Sequence, residues 1–143
     1  MEQSRKHLKI SSIIVLIFTL ASIFNLIAGI IDLNSATIPD GAPDNIVTIT
    51  KTVLIVVSGI VLLPQIYIGL KGLKVSLNPD SSKLHIIVAT FVFVFSLLSL
   101  ISPAIALIEN SDIESIGSLL FIAVEVSVYF DYIMAARAVA NEN

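Results

Sequence analysis

Residues Ile116–Ala136 read IGSLLFIAVEVSVYFDYIMAA. The stretch is long and apolar enough to cross a bilayer, since a hydrocarbon core of ~30 Å needs about 20 helical residues. It nevertheless carries Glu125 near its middle. Lipid offers a carboxyl group no hydrogen bond, so Glu125 must face a protein interior, a polar cavity or a partner. One such helix therefore predicts others to receive it. The composition agrees. The chain is 56% hydrophobic and 13% charged, against about 45–50% and about 25% in an average soluble domain. So much apolar surface cannot be hidden inside 143 residues, and a membrane protein with a single domain, 1–143, is expected.

Three further apolar runs precede this one. Ile10–Leu33 follows a short basic segment holding Arg5, Lys6 and Lys9. A cleaved signal peptide is the rival reading of this run, but signal cores are about 7–15 residues long and end at a small-residue site. The run exceeds that length and exits through Asn34-Ser35-Ala36, so a retained span is predicted. Thr52–Leu70 has no charge and contains Pro64, which should kink it. Leu84–Leu107 contains Ser96, Ser99, Ser102 and Pro103. The four expected spans are thus 10–33, 52–70, 84–107 and 116–136.

The connections differ in material. Asn34–Lys51 is acidic and rich in the turn formers Pro39, Asp40, Gly41, Pro43, Asp44 and Asn45. Its second half, Ile46–Thr50, is read as a helix lead-in, because a lone strand would have no partner. Lys71–Lys83 is basic, with a turn at Asn78-Pro79-Asp80. Gly69, Leu70, Gly72 and Leu73 suggest that the helix frays before it. Ile108–Ser115 is a short acidic connector, and Arg137 with a polar tail, Ala138–Asn143, follows the last span.

Orientation follows from the cations. Arg5, Lys6, Lys9, Lys71, Lys74, Lys83 and Arg137 fall on one side and Lys51 alone on the other. The positive-inside rule then places both termini in the cytoplasm. The expected fold is an all-α integral membrane protein, an antiparallel up-down-up-down bundle of four transmembrane helices in the plasma membrane.

Each span carries one stripe unlike its remainder. Ser22, Asn25, Gly29 and Asp32 share a face of the first helix, and Ser58, Leu62, Gln65 and Gly69 of the second. Ser96, Ser99 and Ser102 or Pro103 share one on the third, and Ser118, Ile122, Glu125, Tyr129 and Tyr132 on the fourth. Small and hydroxyl residues allow close backbone approach and interhelical hydrogen bonds, so these stripes are expected to form the bundle core. Counted at ~1.5 Å per residue, Glu125 lies about 13–14 Å from the outer end of its span, near the midplane. Asn25, Ser22, Ser58 and Ser96 fall at similar depth and form with Glu125 a predicted intramembrane polar cluster. Gln65, Asp131, Tyr129 and Tyr132 are expected lower, on the inner side. Tyr129, Phe130 and Tyr132 suit an interfacial aromatic belt. No cation reaches Glu125 at its depth. A protonated carboxyl that pins helices together and a working proton or cation site are both compatible with this placement.

Other chemistry finds no support. The chain has no cysteine and two histidines, His7 and His85, both at span edges. A multi-histidine metal site, thiol catalysis and disulfides are excluded, and no cofactor is expected. No phosphate loop, His-Glu-x-x-His pattern or nucleophile elbow occurs. Without a positioned acid–base or nucleophile pair, an enzyme is not expected. The scattered cations make no nucleic-acid surface.

Two resemblances remain. Pro64-Gln65-Ile66-Tyr67 resembles the Pro-Gln motif of PQ-loop transporters, which are built from three-helix units, whereas this chain has four spans and no second copy. Gly69-Leu70-Lys71-Gly72-Leu73-Lys74, then Asn78-Pro79 and Lys83, is similar to a pattern in uncharacterised small four-span membrane proteins of Gram-positive bacteria. That resemblance implies a bacterial plasma-membrane protein and transfers no functional residue. The expected function is non-enzymatic. It consists of helix–helix or protein–protein contacts in the bilayer, with a membrane-protein partner or by self-association, in an accessory, scaffold or protective role. The alternative is an oligomeric transporter or channel for protons, ions or small solutes using Glu125.

Overall fold

The structure, a computed structural model, describes residues 2–35, 45–78, 83–110 and 113–141. These form five helices: α1 (Glu2–Ser35), α2 (Ile46–Leu77), α3 (Leu84–Ser99), α4 (Ile101–Asn110) and α5 (Ile113–Asn141). No strand occurs among the described residues. Four stretches are long and apolar enough to cross a membrane, with α3 and α4 together supplying the third. Their outward faces are apolar, with Ile60, Leu63, Phe91 and Leu120 among the most exposed side chains. Such a surface suits hydrocarbon and not water.

The four stretches stand at the corners of a square. α1 packs on α2 and α5, and α3 packs on α2 and α5, so α2 and α5 face each other across the diagonal. α1 and α2 are antiparallel. Their contacts Asn34–Lys51, Gly29–Leu54, Leu16–Gly69 and Ser12–Gly72 run in opposite directions along the two chains. The buried hydroxyls of Ser12 and Thr19 and the half-buried one of Thr90 are satisfied within their own helices, donating to the carbonyls of Leu8, Val15 and Ile86 at 2.6, 2.8 and 2.8 Å. This local bond lets a polar side chain sit in an apolar bundle.

The packing is one-sided. Buried residues run from Leu8 to Thr19 on α1, Leu62 to Ser76 on α2, His85 to Ser96 on α3 and Tyr129 to Val139 on α5. All lie toward the end that carries Lys9, Lys74, Lys83 and Arg137, here called the basic end. The opposite half, beyond Glu125, contributes no buried side chain among the described residues.

Several expectations are corrected. The third span lies where expected, at Leu84–Ile108, but a break at Leu100 divides it into α3 and α4. Pro103 has no N–H for the carbonyl of Ser99 and its ring crowds that carbonyl, which ends α3 there. Leu100 instead bonds back to Leu97 at 3.2 Å. α2 does not fray at Gly69 and Gly72 but continues to Leu77. Both glycines are buried because α1 and Tyr132 press against them. The segment Ala138–Asn141 is not a polar tail but the last turn of α5, where Val139 is 1% exposed. Its spacing from Ala135 and Ala136 continues their buried face. α1 likewise begins at Glu2, and Leu8 is fully buried. Of the expected connector Ile108–Ser115, residues 108–110 end α4 and residues 113–115 begin α5. Ile46–Thr50 is the first turn of α2, as read. The turn formers Pro39–Asp44 and Pro79-Asp80 lie outside the described residues.

Candidate functional site

The stripes meet only in part. On α1 the buried face is Leu8, Ser12, Val15 and Thr19. Asn25 and Asp32 are exposed and Ser22 is half-buried. This corrects the predicted core face of the first span, and with it the expectation that Asn25 approaches Glu125. The physical reason is that almost every face of α1 is apolar, so lipid-facing and bundle-facing residues look alike and the few polar residues misdirect the reading. On α2, Leu62, Gln65 and Gly69 are buried and Ser58 is half-buried. On α3, Ser96 is buried, whereas Ser99 and Ser102 are exposed.

Glu125 is half-buried and hydrogen-bonded within the bundle. Gln65 Nε2 donates to its Oε1 at 3.2 Å across the α2–α5 diagonal, and Tyr129 Oη donates to the same oxygen at 3.2 Å. Glu125 Oε2 takes no bond among the described residues. The partners of Glu125 are therefore Gln65 and Tyr129, both expected lower, and not Asn25, Ser22 or Ser58. Tyr129 stands four residues from Glu125, one turn along the same face of α5. Gln65 reaches the carboxyl from another helix, which spacing along α5 does not reveal.

Tyr129 is 1% exposed and Tyr132 is fully buried, while Phe130 is exposed. The two tyrosines are bundle core, which corrects the aromatic-belt expectation. Tyr132 Oη donates to the carbonyl of Ile68 at 2.9 Å, a second tie across the diagonal. The buried His85 ring meets Tyr132 edge-on, with centroids 6.2 Å apart. A histidine at a span edge gave no sequence sign that it would be core. Asp131 faces the other way. It is exposed and lines a groove of about 590 Å³ between α1 and α5 with Gln3, His7 and Ser11.

A second groove, of about 560 Å³, lies between α2 and α3. Pro64, Ile87, Phe91 and Phe95 form its walls, and Gln65, Ser96 and Glu125 line it as well. Of the predicted cluster, Ser96 and Glu125 thus share a cavity. Gln65 is 3% exposed and its Oε1 has no hydrogen-bond partner. The pair Gln65–Glu125 has two bonding states. An ionised Glu125 accepts from Nε2 and leaves Oε1 orphaned, whereas a protonated one can donate to Oε1 once the amide is turned over. No group of three or more potential metal ligands occurs among the described residues.

The chain matches no protein-family model, no curated protein and no solved structure.

Proposed function

We propose that the chain is a non-enzymatic, multi-pass protein of a bacterial plasma membrane, with both termini in the cytoplasm. It works through contacts inside the bilayer with a membrane-protein partner or a second copy of itself. The distribution of lysine and arginine supports the orientation. The observation that carries the reading is the placement of Asn25. It stands exposed on the half of α1 that holds no fully buried side chain, beside the exposed Phe24 and Ile27, and makes no hydrogen bond among the described residues. It lies seven residues, about 10 Å, below Asp32. An amide left without a partner in hydrocarbon costs roughly 2–7 kcal/mol, depending on the reference state. A neighbouring helix that exchanges hydrogen bonds with Asn25 removes that cost, and side-chain bonds between membrane helices are worth about 0.6–2 kcal/mol.

Because the chain has no cysteine, an Ala28→Cys variant, exposed one turn from Asn25 and leaving that amide in place, gives a unique attachment point for a photo-crosslinker. In lipid nanodiscs and in cell membranes, crosslinks from this position are expected to reach protein. A dimer mass identifies a second copy, and any other mass identifies a partner. Asn25→Leu is expected to weaken that association roughly tenfold, the equivalent of about 1.4 kcal/mol. Adducts to lipid alone, with an unchanged monomer in both settings, would refute the reading.

A second reading, an oligomeric carrier or channel, draws on one observation. Glu125 borders a groove whose lining includes the exposed side chains of Ile60, Phe91 and Phe95. Four helices enclose little space, so such a carrier needs several copies. A Glu125→Gln variant that keeps its association but loses ion or proton flux in proteoliposomes would favour it. Absence of any flux from the unaltered protein would remove it.

A further inference from the structure

We propose that the groove between α2 and α3 binds a protonated amine carried on an apolar body, taken up sideways from the bilayer. The argument starts from hydrogen-bonding inventory. The side-chain donors lining the groove are the Gln65 amide and the hydroxyls of Ser96 and Ser99, and Gln65 and Ser99 already donate, to Glu125 and to the Phe95 carbonyl, so acceptors are in excess. Gln65 Oε1 is buried without a partner. Glu125 offers Oε2, because both of its bonds end on Oε1. Pro64 has no N–H, so the carbonyl of Ile60 one turn earlier loses its helical donor. Ile60, Pro64, Gln65 and Glu125 all line the same groove. No lysine, arginine or histidine lines it. An ammonium group has three donors and no acceptor, which complements this set.

The walls specify the rest of the ligand. Phe91 and Phe95 form a tilted ring pair 5.5 Å apart and are both exposed on the lipid side. Their faces suit a cation near the groove mouth and an aliphatic chain along it. A volume of about 560 Å³ falls within the range of small-molecule sites, about 300–1,000 Å³. An anion would meet Glu125 with like charge. A lipid acyl chain would fill the walls but leave Gln65 Oε1 orphaned, at the cost of an unsatisfied buried acceptor. A bare proton satisfies the carboxyl but leaves the groove unused. A bound ammonium answers both Glu125 and Gln65 with Gln65 in its present orientation.

The chain has no tryptophan, so Phe91→Trp places a single reporter in the wall. In phosphatidylcholine nanodiscs, dodecylammonium is expected to change the tryptophan fluorescence saturably. Dodecanol, with the same tail, is expected to bind at least tenfold more weakly, and dodecanoate not saturably. Glu125→Gln and Gln65→Leu, each combined with the reporter, are expected to weaken dodecylammonium binding at least tenfold. Gln65→Leu keeps the comparison decisive where Glu125→Gln does not yield a monodisperse bundle. Equal affinity for the amine and the alcohol would reduce the groove to an apolar slot and overturn the proposal. So would binding that neither variant alters, or partitioning without saturation. None of these readouts depends on Asn25, so this inference and the association reading can fail separately.

Discussion

Gly72→Leu is expected to abolish the folded bundle, and Gly72→Ala alone to destabilise it by about 1–3 kcal/mol or more, the usual range for overpacking. A Cβ at Gly72 would lie 2.5 Å from Tyr132 Cε2 and 2.8 Å from Tyr132 Oη, and would overlap Ser12 Oγ. Neither neighbour can retreat cheaply. Tyr132 is fully buried and tied to Ile68, and Ser12 is held against its own helix by the bond to Leu8. The other glycines set a ranking. At Gly69 the intruding methyl meets the Leu16 side chain, at 2.6 and 2.7 Å, and a half-buried leucine can change rotamer. At Gly59 nothing stands within 4 Å, so alanine should be neutral or stabilising by up to about 1 kcal/mol through helix propensity. Reversible unfolding in mixed micelles should therefore order the alanine variants Gly72, Gly69, Gly59 from most to least damaging. Equal stability of the Gly72 and Gly59 variants would show that α1 and α5 do not close on α2 as described.

The helices and their number were legible in the sequence because hydrocarbon demands long apolar runs, and such runs are hard to mistake. Their ends were less so. Beyond the apolar runs, the four helices continue to pack at the basic end, where Leu8, Val75 and Val139 bury themselves among charged neighbours. A reading keyed to charge stops at Lys9, Lys71 and Arg137 and misses this. The core was the least legible feature. In water, burial and apolarity coincide, whereas here Ile17 and Val15 are chemically similar and only Val15 is buried. The polar residues that should break the tie divide. Ser12, Thr19 and Gln65 face inward, whereas Asn25 faces out. That division is informative. The inward set explains the bundle, and the outward residue is the one on which the proposed association rests. The site was half legible. Glu125 stood out as an isolated carboxyl, but its bond to Gln65 depends on a diagonal contact that spacing along one helix cannot reveal.

The diagonal is also where the second large effect is expected. Tyr132→Ala should cost about 3–5 kcal/mol, the usual range for truncating a buried aromatic side chain. Tyr132→Phe should cost only about 0.5–1.5 kcal/mol, the net worth of one hydrogen bond, since the carbonyl of Ile68 keeps its place in the α2 ladder. The difference between these variants separates packing from bonding at one position. It also predicts a coupling with Gly72. Removing the Tyr132 ring vacates the space that a Cβ at Gly72 would invade, whereas Tyr132→Phe keeps Cε2 in place. The double variant Gly72→Ala/Tyr132→Ala should therefore be less damaged than its two single effects predict, by an interaction energy within the 0.5–3 kcal/mol range found for contacting residues. Gly72→Ala/Tyr132→Phe should relieve only the contact with Oη and stay closer to additive. The same unfolding measurement reads all of these. Strict additivity in the alanine pair would mean that Tyr132 does not reach across the bundle to α2, and the diagonal tie through Ile68 would fall with it.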